Sequence, residues 1–240
     1  MSQLEKLYEG KAKIIYRTTE PEVLLTYFKD DATAFNAQKR GTIKGKGEVN
    51  CTVSATIFKW LESQGIPTHY LEQTKPNEMR VKGVKIIPLE VVVRNIAAGS
   101  LCRETGLALG RILPQPLVEF YLKNDELGDP LLTSDRLALL EMVTSEELET
   151  IKQMALKINL ALQEFFDSCE ITLVDFKLEF GFDGNKQIIL ADEISPDTCR
   201  LWDQNESDPQ ARVLDKDRFR QDLGAIEAAY QKVKTRVINH

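Results

Sequence analysis

A strictly alternating run in the last third of the chain constrains the fold more than any other feature. Within residues 173–203, LVDFKLEFGFDGNKQIILADEISPDTCRLWD, apolar and charged residues take turns from position 174 to position 180. Because successive side chains of a β-strand point to opposite faces, Asp175, Lys177 and Glu179 should share one face. The run therefore predicts a strand that carries an acid, a base and an acid in a row.

A hairpin should follow that strand. The DGN sequence at 183–185 is a strong turn signal, and the apolar run 187–190 then leads to Asp192 and Glu193 beside the first strand. Two interpretations are open at this point. The charges either form the solvated face of a half-buried hairpin, or they form a carboxylate cluster that holds a divalent cation and presents a lysine to a phosphate.

Composition argues against several classes of protein. The 240 residues include 31 Lys and Arg against 37 Asp and Glu, and a net charge of −6 disfavours a general nucleic-acid binder. No apolar run approaches the roughly 20 residues of a membrane span, and the first residues lack the apolar core of a signal peptide. We expect a cytoplasmic protein with no nucleic-acid partner and no membrane partner.

Thiol and imidazole chemistry are also disfavoured. None of the four cysteines forms a CxxC pair, which suits free thiols in a reducing compartment. Cys199 is interpreted as a passive small residue rather than a nucleophile. With only His69 and His240 in the chain, a histidine triad or a zinc site is disfavoured, so chemistry should use carboxylates, lysines, arginines and Mg²⁺.

Hydrophobic periodicity predicts strands in the first part of the chain and helices in the second. Residues 13–17 and 23–29 predict a hairpin, 49–61 a helix and 85–95 a long buried strand. Thr144 and Glu147 form a capping box before a helix whose apolar stripe we interpret as core, and a last helix is predicted over 217–237. The expected fold class is α+β, with a β-rich N-terminal lobe, residues 1–83, on an α+β C-terminal lobe, residues 84–240, and a cleft between them.

Three further segments contain residues suited to anions. Residues 8–13, YEGKAK, are either an ordinary hairpin turn with solvated lysines or a backbone and lysine site for phosphate. Residues 39–47, KRGTIKGKG, are either a solvated surface loop or a mobile basic lid. Residues 90–100, EVVVRNIAAGS, end a strand at Arg94 and lead to Ser100, so the arginine either caps carbonyls or binds a phosphate.

Taken together, these motifs resemble the phosphoribosylaminoimidazole-succinocarboxamide synthase (SAICAR synthetase) family over essentially the whole chain. The resemblance rests on LYEGKAK, ATAFN with GTIKGKG, PLEVVVRNIAAGS, FYLKNDELGDPLL, VDFKLEFG, LADEISPDTCRLWD and DKDRFRQDLG, in that order. It implies a two-lobed fold whose nucleotide cleft resembles that of protein kinases. It also implies a ligase that joins CAIR, 5-amino-1-(5-phospho-D-ribosyl)imidazole-4-carboxylate, to L-aspartate with ATP and Mg²⁺ in de novo purine biosynthesis, through an acyl phosphate.

The resemblance also implies roles for individual residues. On the nucleotide side, Lys11, Ala12 and Lys13 would cover the ATP phosphates. Val81 and Lys82 would lie near the adenine, and Lys123 would reach the ribose. Glu179 and Asp192 would hold Mg²⁺. Lys177 would bridge the ATP phosphates and the reacting carboxylate.

On the CAIR side, Arg94, Ser100 and Arg200 would bind the phosphate and Asp175 the ribose hydroxyls, while Glu90 would face the carboxylate end, directly or through another Mg²⁺. For the aspartate, residues 35–46 and 195–200 are the candidate segments.

Two other functions stay open on the residues alone. A kinase acting on a hydroxylated small molecule would use a similar cleft, with Asp175 as the base. A nucleotide-sensing module would bind ATP without turnover, although Lys177, Glu179 and Asp192 argue against it. A homodimer is implied by the resemblance only.

Overall fold

The computed structural model describes residues 4–34 and 38–240. Their strands form two five-stranded sheets and one two-stranded ribbon. The N-terminal sheet has the order β1-β2-β3-β7-β6, with strands β1 Lys6–Glu9, β2 Lys13–Arg17, β3 Val23–Phe28, β6 Tyr70–Lys75 and β7 Glu78–Lys82. The ribbon pairs β4 Asp31–Ala34 with β5 Lys39–Thr42. The predicted hairpin of the first segment is confirmed, because Lys13 pairs with Phe28 and Arg17 with Leu24.

The C-terminal sheet has two strands of 12 residues as its longest members, and they lie next to each other. Its members are β8 Lys85–Ile96, β9 Ile112–Leu122, β10 Ile171–Phe182, β11 Ile188–Ala191 and β12 Cys199–Asp203. The order is β11-β10-β8-β9, and β12 also pairs with β10. All pairings within this sheet are antiparallel. The predicted long strand and the predicted hairpin are both confirmed, since β10 turns at 183–187 and pairs with β11.

Helices cover these sheets and supply the core. They are α1 Lys46–Ser63, α2 Gly99–Thr105, α3 Ser134–Leu140, α4 Ser145–Ser168, α5 Asp217–Arg220 and α6 Ile226–Ile238. The capping box of α4 is present, and its apolar stripe is buried as predicted. One buried apolar cluster joins α1 and the N-terminal sheet to α4, α6 and the C-terminal sheet. None of the helices in the described residues is long and apolar enough to cross a membrane.

The prediction of one helix over 217–237 is wrong. The structure has two helices there, α5 and α6, separated by Asp222, Gly224 and Ala225, all with positive φ. Left-handed residues cannot continue a right-handed helix, and Gly224 adopts this conformation without steric cost. The apolar spacing that suggested one helix continues across the break, because Phe219, Ile226 and Tyr230 still face the interior.

The interpretation of residues 39–47 as a loop is also wrong. Residues Lys39–Thr42 form strand β5, and α1 begins at Lys46. Lys46 is 1% exposed and donates to Asp197 Oδ2 at 2.8 Å, so it is a buried ion-pair partner rather than a solvated cation. Gly47 lies so close to the Phe28 carbonyl that a Cβ there would overlap it. Residues 35–37 of the proposed aspartate segment lie outside the described residues.

All four cysteines are free, as expected. Cys51, Cys169 and Cys199 are buried, and Cys102 is partly exposed. Burial raises the pKa of the Cys199 thiol far above its ordinary value, although Thr198 opposes the shift. A thiol that stays protonated is a poor nucleophile, which supports its interpretation as a passive residue.

Candidate active site

The charged row of β10 is a built cluster and not a solvated face. Asp175 is 4% exposed and Glu179 is 2% exposed, so the solvated interpretation is wrong. Strand β8 lies beside β10 in antiparallel register, which places Arg94 opposite Asp175 and Glu90 opposite Glu179. Because side chains alternate, the row of β8 and the row of β10 share one face of the sheet.

One end of this face is a lysine cluster, which comprises Lys13, Lys123 and Lys177 with Glu90, Glu179, Asp192 and Glu193. Lys177 Nζ donates to Glu90 Oε1 at 2.8 Å and to Glu179 Oε1 at 2.7 Å. It therefore bridges two carboxylates that lie opposite each other on the adjacent strands β8 and β10. Lys123, the residue that follows β9, forms an ion pair with Glu179. The cluster thus contains three ammonium groups and four carboxylates within direct contact.

The lysine cluster is completed from two other elements. Lys13, on β2, pairs with Asp192 and lies 2.9 Å from Glu193 Oε1. Asp192 has a φ of 61°, a left-handed conformation that asparagine and aspartate tolerate better than most residues. This turn after β11 directs its carboxylate toward the neighbouring lysines. The cluster therefore joins the N-terminal sheet to the C-terminal sheet.

Mutual pairing keeps these groups charged despite their burial. Desolvation alone would lower the pKa of Lys177, but Glu179, Asp192 and Glu90 raise it well above its ordinary value. Burial would raise the pKa of Asp192, yet Lys13 and Lys177 hold it below its usual range. The pKa of Lys13 is raised in the same way by Asp192 and Glu193. Charged carboxylates and ammonium groups are therefore present together at neutral pH.

An apolar cavity of about 180 Å³ adjoins the lysine cluster. Its walls come from both sheets and include Leu24, Val81, Ile86, Lys82 and Tyr8. Lys13, Lys123, Glu179 and Asp192 also line it. An apolar space beside cations suits a purine base followed by phosphates.

The other end of the face is an arginine row, which runs Glu119–Arg94–Asp175–Arg200–Asp217–Arg220. Arg94 donates to Glu119 Oε2 at 2.6 Å and to Asp175 Oδ2 at 3.1 Å. Arg200 donates to Asp175 Oδ2 at 2.8 Å and, from Nε, to Asp217 Oδ2 at 2.8 Å. Arg220 Nη1 lies 2.5 Å from Asp217 Oδ1. Charges alternate along the whole row.

The arginine row draws its members from four strands and one helix. Ser100, at the start of α2, accepts from Arg94 Nη2 at 2.9 Å. Gly99 has a φ of 56°, and a Cβ at this position would overlap the Arg200 guanidinium. The Arg200 guanidinium therefore depends on close backbone approach at Gly99, and the Arg94 guanidinium is held by the Ser100 hydroxyl. Together with Ser100 they form an anion site with fixed geometry.

A polar cavity of about 330 Å³ lies over the arginine row and reaches Lys177 and Glu90. A connecting cavity of about 390 Å³ is lined by the lysine cluster, including Lys13 and Glu179, and it shares Glu90 and Lys177 with the polar cavity. The two ends of the face therefore open into one continuous space. Every residue to which the resemblance gave an individual role lines one of these three cavities.

Some predicted residues have simpler surroundings than expected. Residues 8–13 form the tight turn between β1 and β2, in which Gly10 N donates to Lys13 O at 2.8 Å. Lys11 lies 2.6 Å from Asp125 Oδ1, and Ala12 lines the connecting cavity. Ser195 is fully buried and donates to Glu193 Oε2 at 2.6 Å, so its side chain shapes the loop before β12.

Several site residues were missed. Lys216 and Arg220 line the polar cavity, and Asp217 holds Arg200, yet no role was assigned to them although the motif DKDRFRQDLG contains all three. Glu119 and Tyr121 were also missed, and both contact Arg94. Alternation along β9 was a usable signal for them, because residues 119 and 121 share one face.

The carboxylates present fit a Mg²⁺ ion held together with phosphates. No group of three or more His, Cys, Asp or Glu suited to a metal occurs in the part of the chain that the structure describes. Mg²⁺ is commonly held by one or two carboxylates, substrate phosphates and water, so it does not require such a group. Glu179 and Asp192 line the same two cavities, and both are oxygen donors of the right kind.

Known proteins resemble this chain along its whole length. The family model for SAICAR synthetase matches residues 6–237. A phosphoribosylaminoimidazole-succinocarboxamide synthase from Picosynechococcus sp. is 70% identical over 98% of this chain and 94% of its own.

Solved structures agree. The enzyme of that name from Ehrlichia chaffeensis superposes with a TM-score of 0.93 at 45% identity, covering 98% of each chain. A SAICAR synthetase (Type-2) in complex with ADP gives a TM-score of 0.92 at 45% identity, covering 97% of each chain. The chain belongs to the SAICAR synthetase family.

Proposed function

We propose that this protein is an ATP-dependent ligase that joins CAIR to L-aspartate and releases SAICAR, ADP and phosphate, in de novo purine biosynthesis. The observation that carries the proposal is the continuous space between the lysine cluster and the arginine row. The lysine cluster suits a nucleoside triphosphate, and the arginine row suits a sugar phosphate. The reacting carboxylate of CAIR would then lie between them, near Lys177.

The nucleotide is assigned to the apolar cavity and the lysine cluster. Val81 and Lys82 would contact the adenine, Lys123 the ribose, and residues 11–13 the phosphates. Support comes from the cavity lining and from the related structure that binds ADP. Glu179 and Asp192 would hold Mg²⁺, which when bound neutralises phosphate charge and orients the triphosphate.

CAIR is assigned to the arginine row. Arg94, Arg200 and Ser100 present fixed donors to its phosphate, and Asp175 holds both guanidinium groups in place. Glu90 lies beside Lys177 at the carboxylate end. Because both oxygens of Asp175 accept from Arg200, the alternative of a kinase with Asp175 as its base has less support.

The chemistry follows from the poor reactivity of a carboxylate toward amines. A CAIR carboxylate oxygen attacks the γ-phosphorus of ATP, ADP leaves, and an acyl phosphate results. The amine of aspartate then attacks the acyl carbon, loses a proton and expels phosphate. Lys177 stabilises the charge that develops on the transferring phosphoryl group, and bound substrates that exclude water from the cavity would limit hydrolysis of the acyl phosphate.

An omission assay tests the proposal. ADP release is measured with ATP, Mg²⁺, CAIR and aspartate, and each component is left out in turn. We expect SAICAR only in the complete mixture. Equal ADP release without CAIR would reject the proposal. Transfer of ¹⁸O from the CAIR carboxylate to phosphate is expected, and its absence would reject the acyl phosphate.

The cellular location, the oligomeric state and the lobe boundary belong to the same proposal. We propose a cytoplasmic location, a homodimer, and two lobes that meet at residues 83–84. The free cysteines support a reducing compartment, and the change of sheet between β7 and β8 supports the lobe boundary. Sedimentation of the purified protein tests the dimer, and a sedimentation coefficient of a monomer at micromolar concentration would reject it.

A further inference from the structure

One carboxylate of the lysine cluster has no part in the function proposed above. Glu193 lines the connecting cavity, its side chain is 4% exposed, and it directly follows Asp192, which would hold Mg²⁺. A buried carboxylate is costly unless it is paired and hydrogen-bonded. The partners of Glu193 therefore indicate what it does.

Each oxygen of Glu193 has its own partner. Oε1 lies 2.9 Å from Lys13 Nζ, and Oε2 accepts from Ser195 Oγ at 2.6 Å. Ser195 is fully buried, and its Oγ also accepts from the backbone N–H of Asp197 at 3.1 Å. Because a hydroxyl has one proton to donate, this arrangement commits that proton to Glu193. The carboxylate is thereby fixed in one orientation, with Oε1 toward Lys13.

The two carboxylates that contact Lys13 have different surroundings. Asp192 lines the apolar cavity as well as the connecting cavity, and its side chain is 17% exposed. Of the three cavities, Glu193 lines the connecting cavity alone, and Ser195 joins it to the protein interior. Asp192 is therefore the carboxylate within reach of a nucleotide and its metal ion, and Glu193 is the one that stays with the protein.

The charges explain why Lys13 needs both carboxylates. An ammonium group and Mg²⁺ repel each other if they share one carboxylate, so Mg²⁺ at Asp192 would drive Lys13 away from the phosphates. A second carboxylate that Mg²⁺ does not use keeps the ammonium group in place. The pair of Lys13 and Glu193 also joins the two sheets, because Lys13 belongs to β2 and Glu193 follows β11.

On the basis of the function proposed above, we propose that Glu193 is a positioning residue that holds Lys13 beside the ATP phosphates and so leaves Asp192 to Mg²⁺. Ser195 holds Glu193 in turn. A carboxylate that only lies near the triphosphate would have the opposite effect, because it would repel the phosphates and its removal would strengthen nucleotide binding. The two roles therefore predict shifts of opposite sign.

Calorimetric titration with Mg²⁺ and AMP-PNP, an ATP analogue that is not hydrolysed, tests the proposal on Glu193→Gln. The Kd for AMP-PNP should rise by roughly 10- to 100-fold, the loss expected for one hydrogen bond between charged groups. The Mg²⁺ concentration needed for half-maximal AMP-PNP binding should also rise, because Lys13 then competes for Asp192. The Kd for adenosine, which has no phosphate, should stay within about twofold of the wild-type value.

Matched variants separate position from charge and from folding. Glu193→Asp keeps the charge but withdraws it by one methylene, so the Kd for AMP-PNP should still rise. Ser195→Ala removes only a hydroxyl and should raise this Kd by about threefold to tenfold. Glu164→Gln removes an exposed carboxylate of α4 and should leave both Kd values unchanged. Circular dichroism shows which variants fold, and Ser195→Ala decides alone if Glu193→Gln does not.

The outcomes distinguish this inference from the proposed function. Tighter or unchanged AMP-PNP binding in both Glu193→Gln and Ser195→Ala would overturn the inference. An equal rise in the Kd for adenosine would do the same, since it would show a general defect of the cavity. The titrations contain no CAIR and no aspartate, so these results leave the ligase intact, whereas absence of SAICAR formation by the wild type rejects the ligase.

Discussion

The two ends of one sheet face use different cations for their carboxylates. At the end near Asp175 the partners are arginines, and at the end near Glu179 they are lysines. A guanidinium is planar, always charged and fixed by several hydrogen bonds, whereas an ammonium group is a compact charge on a flexible stem. The comparison suggests that the arginine row holds a group that does not move and the lysine cluster follows a group that does.

This division matches the proposed chemistry. A sugar phosphate stays bound throughout the reaction, so rigid recognition suits it. A phosphoryl group changes its partner during the reaction, and lysines that already share carboxylates can exchange those contacts for phosphate oxygens. Four predictions test whether the division is real, in order of expected effect.

The largest effect is expected at Lys177. Lys177→Ala should lower kcat by roughly 10²- to 10³-fold, as for removal of one preorganised donor in an active site. Lys177→Arg should recover little, because a planar fork cannot replace a point charge between Glu90 and Glu179. Single-turnover ADP formation measures this.

A folding control is needed for that result. Circular dichroism should show that Lys177→Ala folds, and Asp192→Asn serves as a second variant with the same expected loss of turnover. Wild-type rates for Lys177→Arg would contradict the distinction between the two ends.

The reverse exchange at the other end should act on binding. Arg200→Lys cannot keep the contacts with both Asp175 and Asp217, so the KM for CAIR should rise by roughly 10- to 100-fold. The kcat at saturating CAIR should change by only about twofold, because the phosphate site takes no part in bond making. A fall in kcat as large as that of Lys177→Ala would remove the contrast.

A smaller effect is expected from the glycine beneath Arg200. Gly99→Ala places a Cβ against the guanidinium of Arg200. It also puts an alanine at a φ of 56°, a left-handed conformation that alanine disfavours. We expect a rise in KM for CAIR of about threefold to tenfold, and a stability loss of about 1 kcal/mol from the backbone alone.

Gly106 offers a matched control for that variant. Its φ is 74°, and a Cβ there would meet nothing within 4 Å. Gly106→Ala should therefore lose similar stability in urea unfolding without changing the KM for CAIR. Equal kinetic effects in the two variants would show that backbone strain, and not contact with Arg200, is responsible.

The smallest effects concern pH and stability. Burial lowers the pKa of His69, at the lysine end, to about 3, so the unfolded chain binds more protons than the native state up to about pH 6.5. Native stability should therefore rise with pH across this range, by at most about 1.4 kcal/mol per unit.

Burial and the neighbouring Asp217 raise the pKa of Asp215, at the arginine end, to about 7. Here the native state binds more protons above about pH 4, so stability should fall as the pH rises.

Single variants should reveal these opposed slopes. His69→Leu should make stability fall more steeply between about pH 4 and 6, and Asp215→Asn should make it rise more steeply. Urea unfolding at several pH values measures both. Identical pH profiles for the two variants and the wild type would contradict both assignments.

Local patterns predicted the elements of this fold well. Alternation defined β10, helical spacing defined α1, and a capping box marked the start of α4. The break between α5 and α6 was not predicted, because the apolar spacing continues across it and only the backbone conformation records it. Patterns report which face is buried, but not every change of chain direction.

The sequence did not show which charged residues of the site pair with each other. The row on β10 was visible because its members are two residues apart, whereas Asp217 lies 17 residues from Arg200 and Asp197 lies 151 residues from Lys46. Such contacts depend on the tertiary fold, and no local pattern encodes them. For that reason Lys46 looked like part of a solvated loop, and Lys216 could not be distinguished from an ordinary surface lysine.

The regular spacing of β10 has a consequence for the size of molecule that the protein selects. Asp175 and Glu179 are four residues apart on an extended strand, which separates their backbone positions by roughly 13 Å. A compound must span about that length to touch both ends at once. Phosphorylated molecules without a sugar between phosphate and ring would be too short, however well either end fitted them. Inserting two residues would preserve the face and add roughly 7 Å, so strand length alone would alter which molecules are accepted.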